Sequence, residues 1–198
     1  MAAASRNPGA VQPRFQTVSE AAQAQSEHAV LSMLSEGFPV DAPDLDGNTA
    51  LHWATWFRLD ALRAELLRRG AAAGAKNASG ETPVHWAAKA GDLQALKALS
   101  ADDYSALSHR DCDGFTPFLL LAQGDYGHVM EWLYTRGVSV EEQDHLGRTA
   151  LHWACYRGHR KTVQWLLSRS ANILHRDHDG MTAMHWAALK GHMVIADM

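Results

Sequence analysis

The sequence predicts an all-α solenoid of helix-turn-helix repeats, about 33 residues each, joined by β-hairpin turns. Three observations carry this expectation. A unit opening on Thr recurs five times at a nearly fixed period, a Gly stands two residues ahead of every such Thr, and small residues recur along the helix that comes next. A period of this size means a stack of supersecondary units, none of which can bury its apolar face alone.

The recurring unit reads Thr49-Ala50-Leu51-His52, Thr82-Pro83-Val84-His85, Thr116-Pro117-Phe118-Leu119, Thr149-Ala150-Leu151-His152 and Thr182-Ala183-Met184-His185, in steps of 33, 34, 33 and 33 residues. Gly47, Gly80, Gly114, Gly147 and Gly180 precede these units and can take the positive φ of a tight hairpin turn. After each unit a short inner helix is expected, for example Ala150 to Arg157. A Gly158-His159 corner then leads into an outer helix whose Val163, Leu166 and Leu167 repeat at helical spacing. Ala54, Ala87, Ala88, Ala187 and Ala188 on the inner helices allow neighbouring repeats to approach closely.

Repeats are therefore expected to start near residues 46, 79, 113, 146 and 179. Ahead of them, Ala29 to Gly37 superposes on the outer helix Thr162 to Ser170 at an offset of 133 residues. This places a divergent N-terminal repeat over 15–45, and hence an array over 15–198 behind a disordered leader of residues 1–14. At the far end, Ile195 to Met198 superposes on Thr162 to Trp165, so the last repeat is expected to be truncated early in its outer helix, with an uncapped apolar face.

Composition narrows the function classes. Eighteen Lys and Arg against 22 Asp and Glu give a net charge of −4, and no basic run is present to track a phosphate backbone, so nucleic acid is not an expected partner. No apolar run approaches the ~20 residues that cross a bilayer, which argues against direct membrane insertion. The opening residues lack a secretory signal, and Ala2 excludes N-myristoylation. With Cys112 and Cys155 alone, neither a disulfide framework nor a cysteine zinc site is indicated, and a cytoplasmic setting is expected.

The motifs that could carry chemistry read better as architecture. His52, His85, His152 and His185 each hold the fourth place of a Thr-x-x-His unit, where an imidazole ties neighbouring turns and helices together. His109-Arg110-Asp111 lacks every other part of a kinase site, and its near-copy His175-Arg176-Asp177 places both in hairpins. Asp111-Cys112-Asp113-Gly114 and Asp177-His178-Asp179-Gly180 resemble the start of a calcium loop, but position twelve is Ala122 or Ala188 rather than Glu. Cys155 is expected to be a buried, inert thiol, and Cys112 lies on an exposed turn. Catalytic residues, metal ligands and cofactors are accordingly expected to number none.

Binding is the function the pattern points to. Trp53, Trp86, Trp153 and Trp186 come directly after the His in four repeats, with Leu120 in the third. The two positions that end each inner helix, expected to face the concave groove, read Trp56-Phe57, Lys89-Ala90, Gln123-Gly124, Tyr156-Arg157 and Leu189-Lys190. Aromatic residues and Arg dominate interface hot spots, so Trp56, Phe57, Trp86, Lys89, Tyr156 and Arg157 are the expected partner-binding residues. Trp56-Phe57 has a second reading, packing beneath the divergent first repeat, because Arg58-Leu59 stands where a Gly-His corner would be. The expected partners are proteins or extended peptides bearing apolar and acidic groups.

The period and the Thr-x-x-His units resemble the ankyrin repeat family, and the His-Trp-Ala series resembles the N-terminal ankyrin domain of the ankyrin-containing Asp-His-His-Cys (DHHC) palmitoyltransferases. Trp comes after His in Thr49 to Ala54, Thr82 to Ala87, Thr149 to Ala154 and Thr182 to Ala187, and Cys155-Tyr156-Arg157-Gly158-His159 is similar to that family's fourth repeat. The resemblance implies a module that recruits protein substrates for a downstream membrane-embedded domain holding two zinc ions, at the cytosolic face of an endomembrane. It also implies that Trp86 grips short proline-containing peptides, whereas the Asn that assists in the family is Phe57 here. The alternative is a stand-alone ankyrin adaptor or scaffold. Coding sequence beyond Met198 separates the two, since apolar spans and a Cys-rich segment there would mark the acyltransferase.

Overall fold

The computed structural model describes residues 15–101 and 103–196; the expected leader over 1–14 and the closing residues 197–198 lie outside them. Twelve α-helices among the described residues form six antiparallel pairs: α1 (Val18–Gln23) with α2 (Glu27–Ser35), α3 (Ala50–Trp56) with α4 (Asp60–Arg68), α5 (Pro83–Lys89) with α6 (Leu93–Leu99), α7 (Pro117–Gln123) with α8 (Gly127–Tyr134), α9 (Ala150–Arg157) with α10 (Arg160–Ser168), and α11 (Ala183–Leu189) with α12 (Met193–Ala196). The odd-numbered helices form an inner row, each packing on the next from α1 to α11, and the even-numbered ones lie outside. None exceeds nine residues, well short of the ~12–15 at which an isolated helix becomes even marginally stable in water, so tertiary stacking holds them.

Stacking produces one continuous core. Leu51, Leu66, Leu96, Phe118, Leu121, Met130 and Leu166 are fully buried, and Ala54, Ala87, Ala154 and Ala187 allow the inner row its close spacing. Each of the last five inner helices opens on its Thr as N-cap, and Pro83 and Pro117 occupy the first helical position, where a missing N–H removes no bond. Every corner between paired helices turns through a left-handed residue. Gly158 (φ 80°) does so in repeat four, but Gln25, Arg58 and Asp125 adopt φ of 55°, 55° and 61° without Gly, so the corner survives where its Gly-His signature is missing.

The expected β-hairpins are reduced to tight turns. Two backbone bonds close each, such as Asp44 N–H to Asn48 O at 2.9 Å with Gly47 N–H to Asp44 O at 3.0 Å, and a β-bridge forms only at Gln143–Thr149 among the described residues. The first acidic or amide side chain braces the turn: Asp111 Oδ1 accepts from Asp113 N–H at 3.0 Å and Phe115 N–H at 2.8 Å. Consecutive turns then bond to one another, as Cys112 N–H does to Ser79 O at 3.0 Å and His178 N–H to Leu146 O at 3.0 Å. Gly80 (φ 74°) is required twice over, since a Cβ there would lie 2.9 Å from the backbone nitrogen of Cys112.

The third repeat departs from the rest. A 3₁₀ helix, Tyr104–Ser108, fills the longer connection ahead of it, matching the single step of 34. No helix among the described residues is long and apolar enough to cross a membrane.

Candidate protein-binding groove

The side formed by inner helices and turns carries the candidate site, and the buried imidazoles of His52, His85 and His152 set its floor, while His185 in the last repeat is exposed. In repeats one, two and four, the Thr backbone N–H donates to the His Nδ1 (3.1, 3.1 and 3.2 Å), so that nitrogen is unprotonated and Nε2–H donates onward. Its acceptors are Glu81 O, Phe115 O and Met181 O, at 3.1, 3.1 and 3.2 Å, each in the next turn. Burial lowers the pKa of His52, His85 and His152, outweighing the carbonyl and carboxylate neighbours that favour the cation. These residues are neutral ties between repeats. In repeat three Leu119 replaces the His, and the buried Thr116 hydroxyl has no hydrogen-bond partner among the described residues.

The indoles next in sequence are half-buried, and each donates to a carboxylate. Trp53 Nε1 reaches Asp44 at 2.8 Å, Trp86 reaches Glu81 at 2.8 Å, Trp153 reaches Asp144 at 3.1 Å and Trp186 reaches Asp177 at 2.8 Å. Burial raises the pKa of Asp44, Glu81 and Asp177, yet all three end below the usual carboxylate range. Hydrogen bonds from the indoles and turn amides outweigh burial at Asp44 and Asp177, and the Lys89 ammonium leads the same effect at Glu81. The residue pattern alone does not announce these carboxylates as indole partners. A signal exists, because Asp stands nine residues before Trp in three repeats, and Glu81 substitutes where Asn77 takes the Asp position.

The six expected binding residues fall into two clusters. In the first, Trp86 lies edge-on to Trp53 (5.0 Å between ring centroids), Trp56 (5.9 Å) and His52 (5.2 Å), and Phe57 stacks on Trp53 at 5.9 Å. Trp56 is 45% exposed, which leaves ring surface open. Lys89, one of the expected partner-binding residues, is ion-paired with Glu81. In the second cluster Tyr156 stands edge-on to both Trp153 (5.7 Å) and Trp186 (5.6 Å), with exposed Arg157 alongside. Repeat three, with Leu120 buried and Gln123-Gly124 at the helix end, separates the two.

A cavity of about 220 Å³ opens in the second cluster, lined by Arg148, His152, Trp153, Tyr156, Trp186 and Lys190. No group of three or more His, Cys, Asp or Glu among the described residues is arranged to hold a metal ion. Burial pushes the Cys155 thiol up to about 12, which leaves it without thiolate at neutral pH.

The profile of the family described as "Ankyrin repeats (3 copies)" matches residues 60–144 and again 118–198. The chain belongs to the ankyrin repeat family. Similar curated proteins include the Neurogenic locus notch homolog protein 1 of Xenopus tropicalis, 34% identical over 139 residues, 69% of this chain and 5% of that protein. The human protein of the same name is 36% identical over 114 residues, covering 56% of this chain and 4% of its own length. The ankyrin array thus corresponds to about one-twentieth of these much longer relatives. The ankyrin assignment accounts for the stacked turns and the Thr-His ties, which recur at the family period.

Proposed function

We propose that this ankyrin array binds partner proteins or extended peptides along the groove formed by its inner helices and turns. The observation that carries the reading is the presence of two aromatic clusters on that side with accessible ring surface, Trp56 in one and a cavity beside Tyr156 in the other. Half-buried indoles anchored by carboxylates are rigid and amphipathic, the properties of hot-spot residues, and they are held in place before any partner arrives.

The test is selection of binders to the whole chain from a displayed peptide library, then affinity measurement on variants checked by circular dichroism. For each selected peptide, truncating the cluster that holds it, by Trp56→Ala in the first or Tyr156→Ala in the second, is expected to weaken binding by about 1–2 kcal/mol with the fold intact. Loss of binding through Gln164→Ala on the outer helix α10, with both groove variants unaffected, would overturn it.

Two larger settings fit such a module. An adaptor or scaffold needs nothing beyond the groove, and two free cysteines fit a reducing cytosol. Substrate recruitment for a DHHC-type acyltransferase rests on the His-Trp-Ala series and the Cys155 to His159 stretch, and the notch relatives lend it no support. Coding sequence beyond Met198 with apolar spans and a Cys-rich segment would favour that second reading.

A further inference from the structure

We propose that the cavity between repeats four and five is the anchor site for an acidic peptide segment. A proline or aliphatic side chain enters among Trp153, Tyr156 and Trp186, and an adjacent Asp or Glu is held by Arg148 and Lys190. This deepens the groove-binding reading and rests on it.

Size is the first argument. At about 220 Å³ the cavity falls below the ~300–1,000 Å³ of small-molecule sites, so it suits one side chain of a longer ligand rather than a cofactor. Its walls are the rings of Trp153, Tyr156 and Trp186, set edge to face, which offer flat apolar surface to a compact aliphatic group.

Charge is the second. Aromatic pockets that take ammonium groups leave their ring faces open to a cation. Here the protein's own cations already lie over one face each of Tyr156 and Trp153: Lys190 Nζ lies 4.6 Å from the Tyr156 centroid, and the Arg148 guanidinium lies 4.4 Å from that of Trp153. Asp144 and Asp177, the nearby acids, are buried and already accept from Trp153, Arg148 and Trp186. Arg148 is oriented by its Nε bond to Asp144 at 2.9 Å, while Nη1 and Nη2 donate to no group among the described residues. Lys190 is exposed and likewise donates to none among them, and Arg157 adds a third cation 5.9 Å from Tyr156. A guanidinium fork with a free edge beside a free ammonium is a carboxylate receptor. The first cluster differs, since Glu81 already pairs with Lys89.

The experiment pans a random twelve-residue phage-displayed library on the whole chain and measures the affinity of the selected peptides. Selected peptides are expected to carry Asp or Glu next to Pro or an aliphatic residue, and to lose about tenfold in affinity with Lys190→Glu, less with Lys190→Gln, and little with Trp56→Ala. Rising salt is expected to weaken them further. Peptides that tolerate Lys190→Glu and Tyr156→Ala but fail with Trp56→Ala would overturn the anchor site and leave the groove reading standing. Basic peptides strengthened by Lys190→Glu would overturn the carboxylate assignment. Failure to select any peptide, or loss only through Gln164→Ala, would overturn both.

Discussion

At the residue scale, the Thr-His bond recurs four times, its imidazole reaches on to the next turn in three of them, and its absence in repeat three makes an internal control. Thr149 is buried, with its hydroxyl 2.8 Å from His152 Nδ1, whereas the buried Thr116 hydroxyl is orphaned beside Leu119. Thr149→Val is expected to cost about 1–2 kcal/mol, while Thr116→Val, which removes an unsatisfied buried group, is expected to be neutral or stabilising. Urea denaturation of both variants checks this, and equal losses would contradict the assignment. The structural role of the histidines was legible from their period alone. The carboxylates beneath the indoles were not, because Asp44 and Trp53 come together only after the turn and inner helix have formed. The ion pairing of Lys89 escaped for the same reason: Glu81 lies eight residues away, beyond the usual helical spacings.

At the element scale, glycines in left-handed turns divide by what surrounds them. Gly70 (φ 84°) has nothing within 4 Å of a built Cβ, whereas Gly80 (φ 74°) faces the backbone of Cys112 in the next turn. Gly70→Ala should therefore cost only the conformational strain, roughly 1–2 kcal/mol, and Gly80→Ala distinctly more, because backbone cannot move aside cheaply. A thermal denaturation series reads the difference, and equal costs would mean that the turns do not stack as described. Leu151, buried to 3% exposure on α9, tests the helix register, with an expected loss of about 2–5 kcal/mol for Leu151→Ala. Helix order and corner positions were legible because period and Gly-His corners mark them. The positive φ at Gln25, Arg58 and Asp125 was not, since nothing in those residue types demands it and the stack imposes it.

At the scale of the whole molecule, stability is a sum over neighbouring repeats, so buried groups that titrate act on the array together. Burial lowers the folded-state pKa of His52, His85 and His152 below 6.5. Below that pH the unfolded chain binds protons that the folded chain refuses, so stability present above pH 6.5 is lost as pH falls through the folded values. Depressed Asp44, Glu81 and Asp177 extend the loss into the carboxylate range. The urea midpoint is expected to fall between about pH 7.5 and about 5.5, and His152→Leu, which copies Leu119, should reduce that dependence. A flat profile would show that the imidazoles are not held neutral.

The central claim, that partners bind along the inner-helix groove, has a direct test in the indole N–H signals of the chain. Its seven tryptophans include Trp53, Trp56, Trp86, Trp153 and Trp186 on the inner helices, and Trp132 and Trp165 on outer helices α8 and α10. In a ¹H–¹⁵N titration with a peptide selected on the whole chain, the Trp153 and Trp186 resonances are expected to shift while those of Trp132 and Trp165 stay in place. Shifts confined to Trp132 and Trp165 would contradict the account.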